Sequence, residues 1–227
     1  MSLILQENLL GVADYGVWKM EEDPAYYLSA LILSDWEKSY LDSISHPKRK
    51  MSWLASRYLV KHLMKTDEFV ELLIDVHGKP FVNNFPLQVS ISHSNNYAAA
   101  IISKDYDVGI DIEEPHRNME EIREKFLSDP ELEVVGDQNR MQKLLVYWSA
   151  KEVMYKIWGK RKLEFREDMF VRPFGLQQRG DLDGVLMKYG DVFRYHMHYI
   201  NREAFTVVTG VGKEVEVIQN TVDTTGP

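Results

Sequence analysis

The chain contains no cysteine, so it can build neither a disulfide framework nor a thiolate metal site, and no cysteine nucleophile is available. It also lacks any run of about 18 apolar residues, the length needed to span a bilayer. Its first segment, MSLILQENLLGVADYGVWKM, has no basic region followed by a sustained apolar stretch. Secretion and membrane insertion are therefore not expected, and the cytoplasm is the expected compartment. Positive charge is scarce overall: 27 Lys and Arg stand against 35 Asp and Glu, giving a net charge of −8. A chain this acidic is poorly suited to broad nucleic-acid binding. Its basic residues are nevertheless clustered, at HPKRK (46–50), which runs on into Arg57, Lys61 and Lys65, and at GKRK (159–162). Such clusters are either solvated faces or local anion sites.

What is present reads as an ordinary folded chain of 227 residues, 44% hydrophobic and 27% charged. Residues of about 48–65 carry apolar side chains at helical intervals, with Met51, Leu54, Tyr58 and Leu59 facing a core. VELLIDV, the turn HGKP and the return FV read as a hairpin, and LQVSISHS alternates as a strand. YAAAIIS and VGIDIE, joined by KDYD, form an expected antiparallel pair. A charged helical stretch at about 118–127 is expected to end near SDPE, and RMQKLLVYWSAKEVMYKIW makes a second long helix at about 140–158. Strand-like EFREDMFV, GVLMKY, VFRYHMHYI and AFTVVTG follow. Each half thus reads as a long helix followed by antiparallel strands, an α+β pseudo-dimer with halves at 1–107 and 108–218 and a flexible segment at 219–227.

Several residues are equipped for chemistry. In VGIDIEE, Asp111 and Glu113 lie two apart on a strand and project to the same side, where they can share a ligand. Paired carboxylates repel unless a cation or proton intervenes, and hard oxygen donors suit Mg²⁺. A solvent-facing strand edge is the alternative. Glu152 sits in mid-helix among Leu144, Leu145, Trp148, Val153 and Ile157, with Lys156 one turn later, as either a functional pair or a surface ion pair. Ser92 and His93 in SISHS and Lys79 in GKP stand where a loop or turn could contact phosphate.

Taken in order, WLASR (53–57), GKP (78–80), SISHS (90–94), GIDIE (109–113), FLSDPE (126–131) and WSAKEVMYK (148–156) resemble the 4′-phosphopantetheinyl transferase superfamily, in particular its larger, surfactin-synthetase-associated type. GIDIE and WSAKEVMYK correspond to the two signature motifs of that family, and their separation of about 40 residues also matches. The resemblance is good over about 45–172, and FLSDPE has leucine where the second phenylalanine of FFS is commoner.

The resemblance implies a pseudo-dimer of two α+β halves with coenzyme A between them. It implies Mg²⁺-dependent transfer of the phosphopantetheine arm of coenzyme A to a serine of an apo acyl or peptidyl carrier protein, releasing adenosine 3′,5′-bisphosphate, as in holo-[acyl-carrier-protein] synthases. Asp111, Glu113 and Glu152 would bind the metal. Lys156 and His93, with Lys151 close by, would contact the pyrophosphate, while Arg57 and Lys79, with Ser92 and Arg49 nearby, would hold the 3′-phosphate and adenine end. Glu131, Glu152 or a metal-bound water would take the serine proton. The resemblance also implies a monomer, and fatty-acid, polyketide, siderophore and peptide-synthetase carriers stay open. A Mg²⁺-dependent nuclease and a non-catalytic carrier-binding or coenzyme A-binding module are the competing readings; the acidic pI and the GKP and SISHS elements speak against the nuclease.

Overall fold

Apolar side chains at period two and at helical period build alternating strands and helices in a computed structural model that describes residues 2–115, 118–160 and 162–212. The elements run β1 (Leu3–Leu9), β2 (Ala13–Lys19), α1 (Pro24–Ala30), α2 (Asp35–Ser43), α3 (Pro47–Met64), β3 (Leu72–Ile74), β4 (Pro80–Val82), β5 (Gln88–Ser94), β6 (Tyr97–Ser103) and β7 (Val108–Glu113). A 3₁₀ turn (Glu120–Ile122) then leads into α4 (Arg123–Phe126), α5 (Asp129–Val135), α6 (Arg140–Trp158), β8 (Met169–Val171), β9 (Arg179–Lys188), β10 (Asp191–Asn201) and β11 (Thr206–Gly212). The expected flexible segment 219–227 and Arg161 of GKRK lie outside the described residues.

Two antiparallel sheets organise the chain. One has the order β1-β2-β6-β5, the other β7-β11-β10-β9-β8, and β3 pairs with β4 as a separate hairpin. The long helix α3 covers one face of the first sheet, burying Leu54, Leu59, Val60 and Leu63 against Ala98, Ala100 and Val89. Each such aliphatic side chain contributes about 1.5–3 kcal/mol by leaving water. The helix α6 covers one face of the second sheet with Leu144, Val153 and Met154 against Met197 and Leu186. The other faces meet each other, so that Tyr15, Val17 and Ile101 pack with Val108, Ile110, Ile112 and Val207.

The mixed α+β class and both long helices agree with the sequence reading. Four details differ. YAAAIIS pairs with β2 and β5, while VGIDIE pairs with β11, because β7 belongs to the second sheet. The charged stretch ends at Phe126, just before SDPE, as expected, but SDPE also opens a further helix that the sequence reading lacks: Ser128 and Glu131 form a reciprocal capping box at the start of α5. EFREDMFV is a strand only from Met169, since the amide of Asp168 donates back to the Glu164 carbonyl in a turn. The N-terminal region, to which no elements were assigned, supplies the β1–β2 hairpin and two capped helices.

Candidate functional site

The two sheets present edge strands to each other at β5 and β7, and SISHS stitches them together. Alternate residues of a strand share one side, so Ser90, Ser92 and Ser94 all reach across. Ser90 Oγ accepts from the Ile110 amide at 3.3 Å and Ser94 Oγ from the Glu114 amide at 3.2 Å. Ser92 Oγ donates to Asp111 Oδ1 at 2.9 Å. The S-x-S-x-S alternation was the available signal for this hydroxyl ladder, and only Ser92 was singled out from it.

On β7, Val108, Ile110 and Ile112 enter the core between the sheets, which leaves Gly109, Asp111 and Glu113 facing α6. Gly109 sets how near the two come. A Cβ there would lie 2.6 Å from the Val153 carbonyl oxygen and 2.9 Å from Ile157 Cγ1, so only glycine permits this approach. The closeness lets Lys156 reach β7, where its Nζ donates to the Ile110 carbonyl at 2.9 Å and to Asp111 Oδ1 at 2.8 Å. Asp111 is 5% exposed, and its second oxygen, Oδ2, is buried without a hydrogen-bond partner. Glu113 accepts a hydrogen bond from Trp148 Nε1 at 3.0 Å, and half-buried Glu152 lies between Trp148 and Lys156 on the same stripe of α6.

Cations surround this point. The His93 pKa is lowered, first by loss of hydration and then by the charges of Lys156 and Arg49, with Asp111 acting in the opposite sense. Its ring keeps solvent-exposed surface, yet it stands close enough to those three groups to feel them. Arg49 is exposed near the start of α3, its Nη2 3.4 Å from the Tyr40 hydroxyl. Lys48 Nζ donates to Asn95 Oδ1 at 2.9 Å, which brings that helix end over the β5–β6 turn. The first turn of α3 contains no acidic residue, contrary to what the helix dipole favours for stability. Lys79 Nζ contacts Asp107 Oδ1 at 3.0 Å beside the C-terminus of α6. It lines a cavity of about 170 Å³ shared with Ser90, Ile91, Tyr155, Lys156 and Lys160. Tyr155 and Ile91 were not anticipated there, because both carry the apolar spacing of core positions.

Three expected site residues, Arg57, Lys151 and Glu131, are engaged in buried contacts away from the β5–β7 seam. Arg57 is 5% exposed; its Nε lies 3.3 Å from Glu37 Oε1, its Nη2 donates to the Leu72 carbonyl at 3.0 Å, and its guanidinium stacks 3.5 Å from the Trp53 ring centroid. Burial pushes its pKa down to about 10 against the pull of Glu37. With its fork used in this way it ties α3 to α2 and β3, with its planar face on Trp53. Lys151 and Glu131 are both fully buried and face each other at 2.7 Å. Lys151 Nζ also lies within 3.0 Å of the Phe126, Phe165 and Met169 carbonyls, and burial lowers its pKa. Glu131 accepts further from Ser128 and from the Val171 amide, so both its oxygens are engaged. The pair fastens α5, α6 and β8 together, away from any solvent a proton could leave by.

Among the described residues, no three imidazole or carboxylate groups are assembled as a ready metal-ligand set, so Asp111, Glu113 and Glu152 do not yet converge. The donor chemistry still fits a hard cation: Asp111, paired with Lys156 through Oδ1, keeps its buried Oδ2 without a hydrogen-bond partner. Among the described residues no helix is long and apolar enough to cross a membrane.

Residues 107–197, which span β7 through most of β10, match the family model of the 4′-phosphopantetheinyl transferase superfamily. A holo-[acyl-carrier-protein] synthase of Acholeplasma laidlawii (strain PG-8A) is 33% identical over 86 residues, 31% of this chain and 73% of that relative. The chain belongs to the 4′-phosphopantetheinyl transferase superfamily. A holo-[acyl-carrier-protein] synthase of Streptococcus agalactiae serotype III (strain NEM316) is likewise 33% identical over 85 residues, 31% of this chain and 71% of that relative. The 4′-phosphopantetheinyl transferase AcpT of Escherichia coli (strain K12) is 29% identical over 117 residues, 49% of this chain. The match covers 59% of that transferase's own length. The segment matched to the superfamily holds Asp111, Glu113, Trp148, Glu152 and Lys156, while Arg49, Lys79, Ser92 and His93 come from outside it.

Proposed function

We propose that the protein transfers the 4′-phosphopantetheine arm of coenzyme A to a serine of an apo acyl or peptidyl carrier protein, releasing adenosine 3′,5′-bisphosphate. The observation that carries this reading is Asp111, a buried carboxylate held by Ser92 of one sheet's edge and Lys156 of α6, with one oxygen left partnerless. In the reaction the serine oxygen forms a bond to phosphorus, the bond from that phosphorus to the bridging oxygen of the pyrophosphate breaks, and the serine proton is lost.

On this reading Asp111, Glu113 and Glu152 would hold Mg²⁺, which when bound supplies positive charge beside the pyrophosphate. Lys156 stabilises charge that gathers on the leaving phosphate. His93, its pKa lowered, offers a neutral imidazole at neutral pH and so binds phosphate oxygen by hydrogen bonding. Lys79 and Arg49 hold the outer phosphates, Arg49 aided by the dipole at the start of α3. Since Glu131 is enclosed, the serine proton goes to Glu152 or to solvent at the cleft.

The shared strand order β2-β6-β5 and β7-β11-β10, each with a long helix between its first strand and its hairpin, supports a pseudo-dimer with halves at 1–107 and 108–218. A single chain then holds the whole site, as the larger, surfactin-synthetase-associated type does, and works as a monomer in the cytoplasm without membrane or nucleic acid. The test is intact-protein mass spectrometry of several apo carriers incubated with the protein, coenzyme A and Mg²⁺. The mass of the arm should appear on the carrier serine, and only when coenzyme A is present. No shift on any carrier would refute the proposal.

A further inference from the structure

We infer that Trp148 is a positioning residue for Glu113, holding that carboxylate in place for the cation. The inference rests on the metal reading proposed above. Glutamate has three side-chain torsions, and a glutamate at a strand end samples many orientations unless something holds its tip. Trp148 Nε1 does so at 3.0 Å from Oε1. The indole nitrogen is a donor only, so its role cannot be inverted by a change of tautomer or by rotation of a hydroxyl. Its direction is set by packing: the ring stands edge-on to Phe126, with centroids 5.3 Å apart and planes at 83°, and tilted against Phe165 at 5.5 Å.

The geometry of the helix gives this contact a counterpart. Trp148, Glu152 and Lys156 recur every four residues along one stripe of α6. That stripe delivers an ammonium to Asp111 and an indole N–H to Glu113, one donor for each carboxylate of GIDIE. A carboxylate offers about four lone-pair sites, so a bond to the indole does not exhaust Glu113 as a ligand. Phenylalanine would fill the same aromatic slot between Phe126 and Phe165, but it has no N–H. Outer donors of this kind fix the orientation of a ligand, and their loss typically lowers metal affinity by about 10–100-fold.

The test uses Mn²⁺ as a paramagnetic probe, with the free ion measured by electron paramagnetic resonance on the full chain with and without coenzyme A. Trp148→Phe should bind Mn²⁺ about tenfold more weakly than wild type, with unchanged far-ultraviolet circular dichroism. In transfer assays its half-saturating Mg²⁺ should rise while turnover at saturating Mg²⁺ recovers, a split that general loosening of the helix would not produce. In a Glu113→Gln background Trp148→Phe should have no further effect on Mn²⁺ affinity. A second readout needs no variant to fold: the indole N–H resonance of Trp148 in the wild-type protein should move as Mg²⁺ is added. Equal Mn²⁺ affinity in wild type and Trp148→Phe, or an unmoved indole resonance, would overturn this inference alone. Wild-type protein that takes up no Mn²⁺ would overturn the metal reading and this inference with it.

Discussion

Replacing Glu131 with alanine is expected to destabilise the fold by about 3–5 kcal/mol, the usual consequence of leaving one member of a buried ion pair without its partner. Lys151 would then keep an ammonium in a fully buried place with only carbonyl oxygens around it, and the Val171 amide and the cap of α5 would each lose an acceptor. Urea denaturation should report the change as a lower midpoint. A double variant, Glu131→Leu with Lys151→Met, should recover the part of the loss that comes from the unpaired charge, while the Val171 amide and the carbonyls around Lys151 stay without their partners. The comparison also decides between two roles. If Glu131→Ala abolished transfer while leaving the denaturation midpoint unchanged, Glu131 would return to consideration as the base that takes the serine proton.

Asp111→Asn should act in the opposite way, with the fold retained and phosphopantetheine transfer reduced by about a thousandfold or more, equivalent to roughly 4 kcal/mol of transition-state stabilisation. The amide keeps an acceptor for the Ser92 hydroxyl but no longer offers an anionic oxygen to a cation, and Lys156 loses its charged partner. Stability should change little, because the native carboxylate already carries an unsatisfied buried oxygen, an arrangement that does not favour the fold. Steady-state transfer to an apo carrier at saturating coenzyme A, with thermal unfolding of the same preparation, makes the measurement. Full activity in Asp111→Asn would remove Asp111 from the metal site.

These two outcomes bear on why the surroundings of some residues were legible in the sequence and those of others were not. Asp111 and Lys156 stand in short motifs whose spacing maps directly onto local geometry, alternation on a strand for one and the turn of a helix for the other. That geometry survives folding, and the two side chains meet at the β5–β7 seam. Arg57, Lys151 and Glu131 carry equally suggestive charges, but the direction in which a helix face points depends on what packs against it. A lysine one position before Glu152 projects about 100° round the helix. For Lys151 that rotation leads into the interior, where Glu131 is waiting.

The strands tell a similar story. The alternation in YAAAIIS and VGIDIE was plain, but their pairing was not, because a two-residue period says nothing about which strand lies alongside. Adjacency in sequence favours pairing the two with each other, whereas β7 crosses to the second sheet and pairs with β11 about a hundred residues later. The charged helical stretch ends just before SDPE as the pattern implies, whereas the helix that SDPE itself opens depends on the reciprocal cap of Ser128 and Glu131.

Local order was therefore settled by the amino-acid sequence alone: the two long helices, the alternating strands, the absence of thiol chemistry, and the carboxylates and lysine of GIDIE and WSAKEVMYK. Those depend on interactions within a few residues, which the chain carries with it wherever it goes. The tertiary structure decided which charges face the cleft and which are sealed in the interior. It also brought Ser92 and Asp111 from separate sheets into contact and set the indole of Trp148 on Glu113. Such contacts join residues far apart along the chain, and their formation depends on the close approach of α6 to β7 at Gly109 and on the burial that surrounds it.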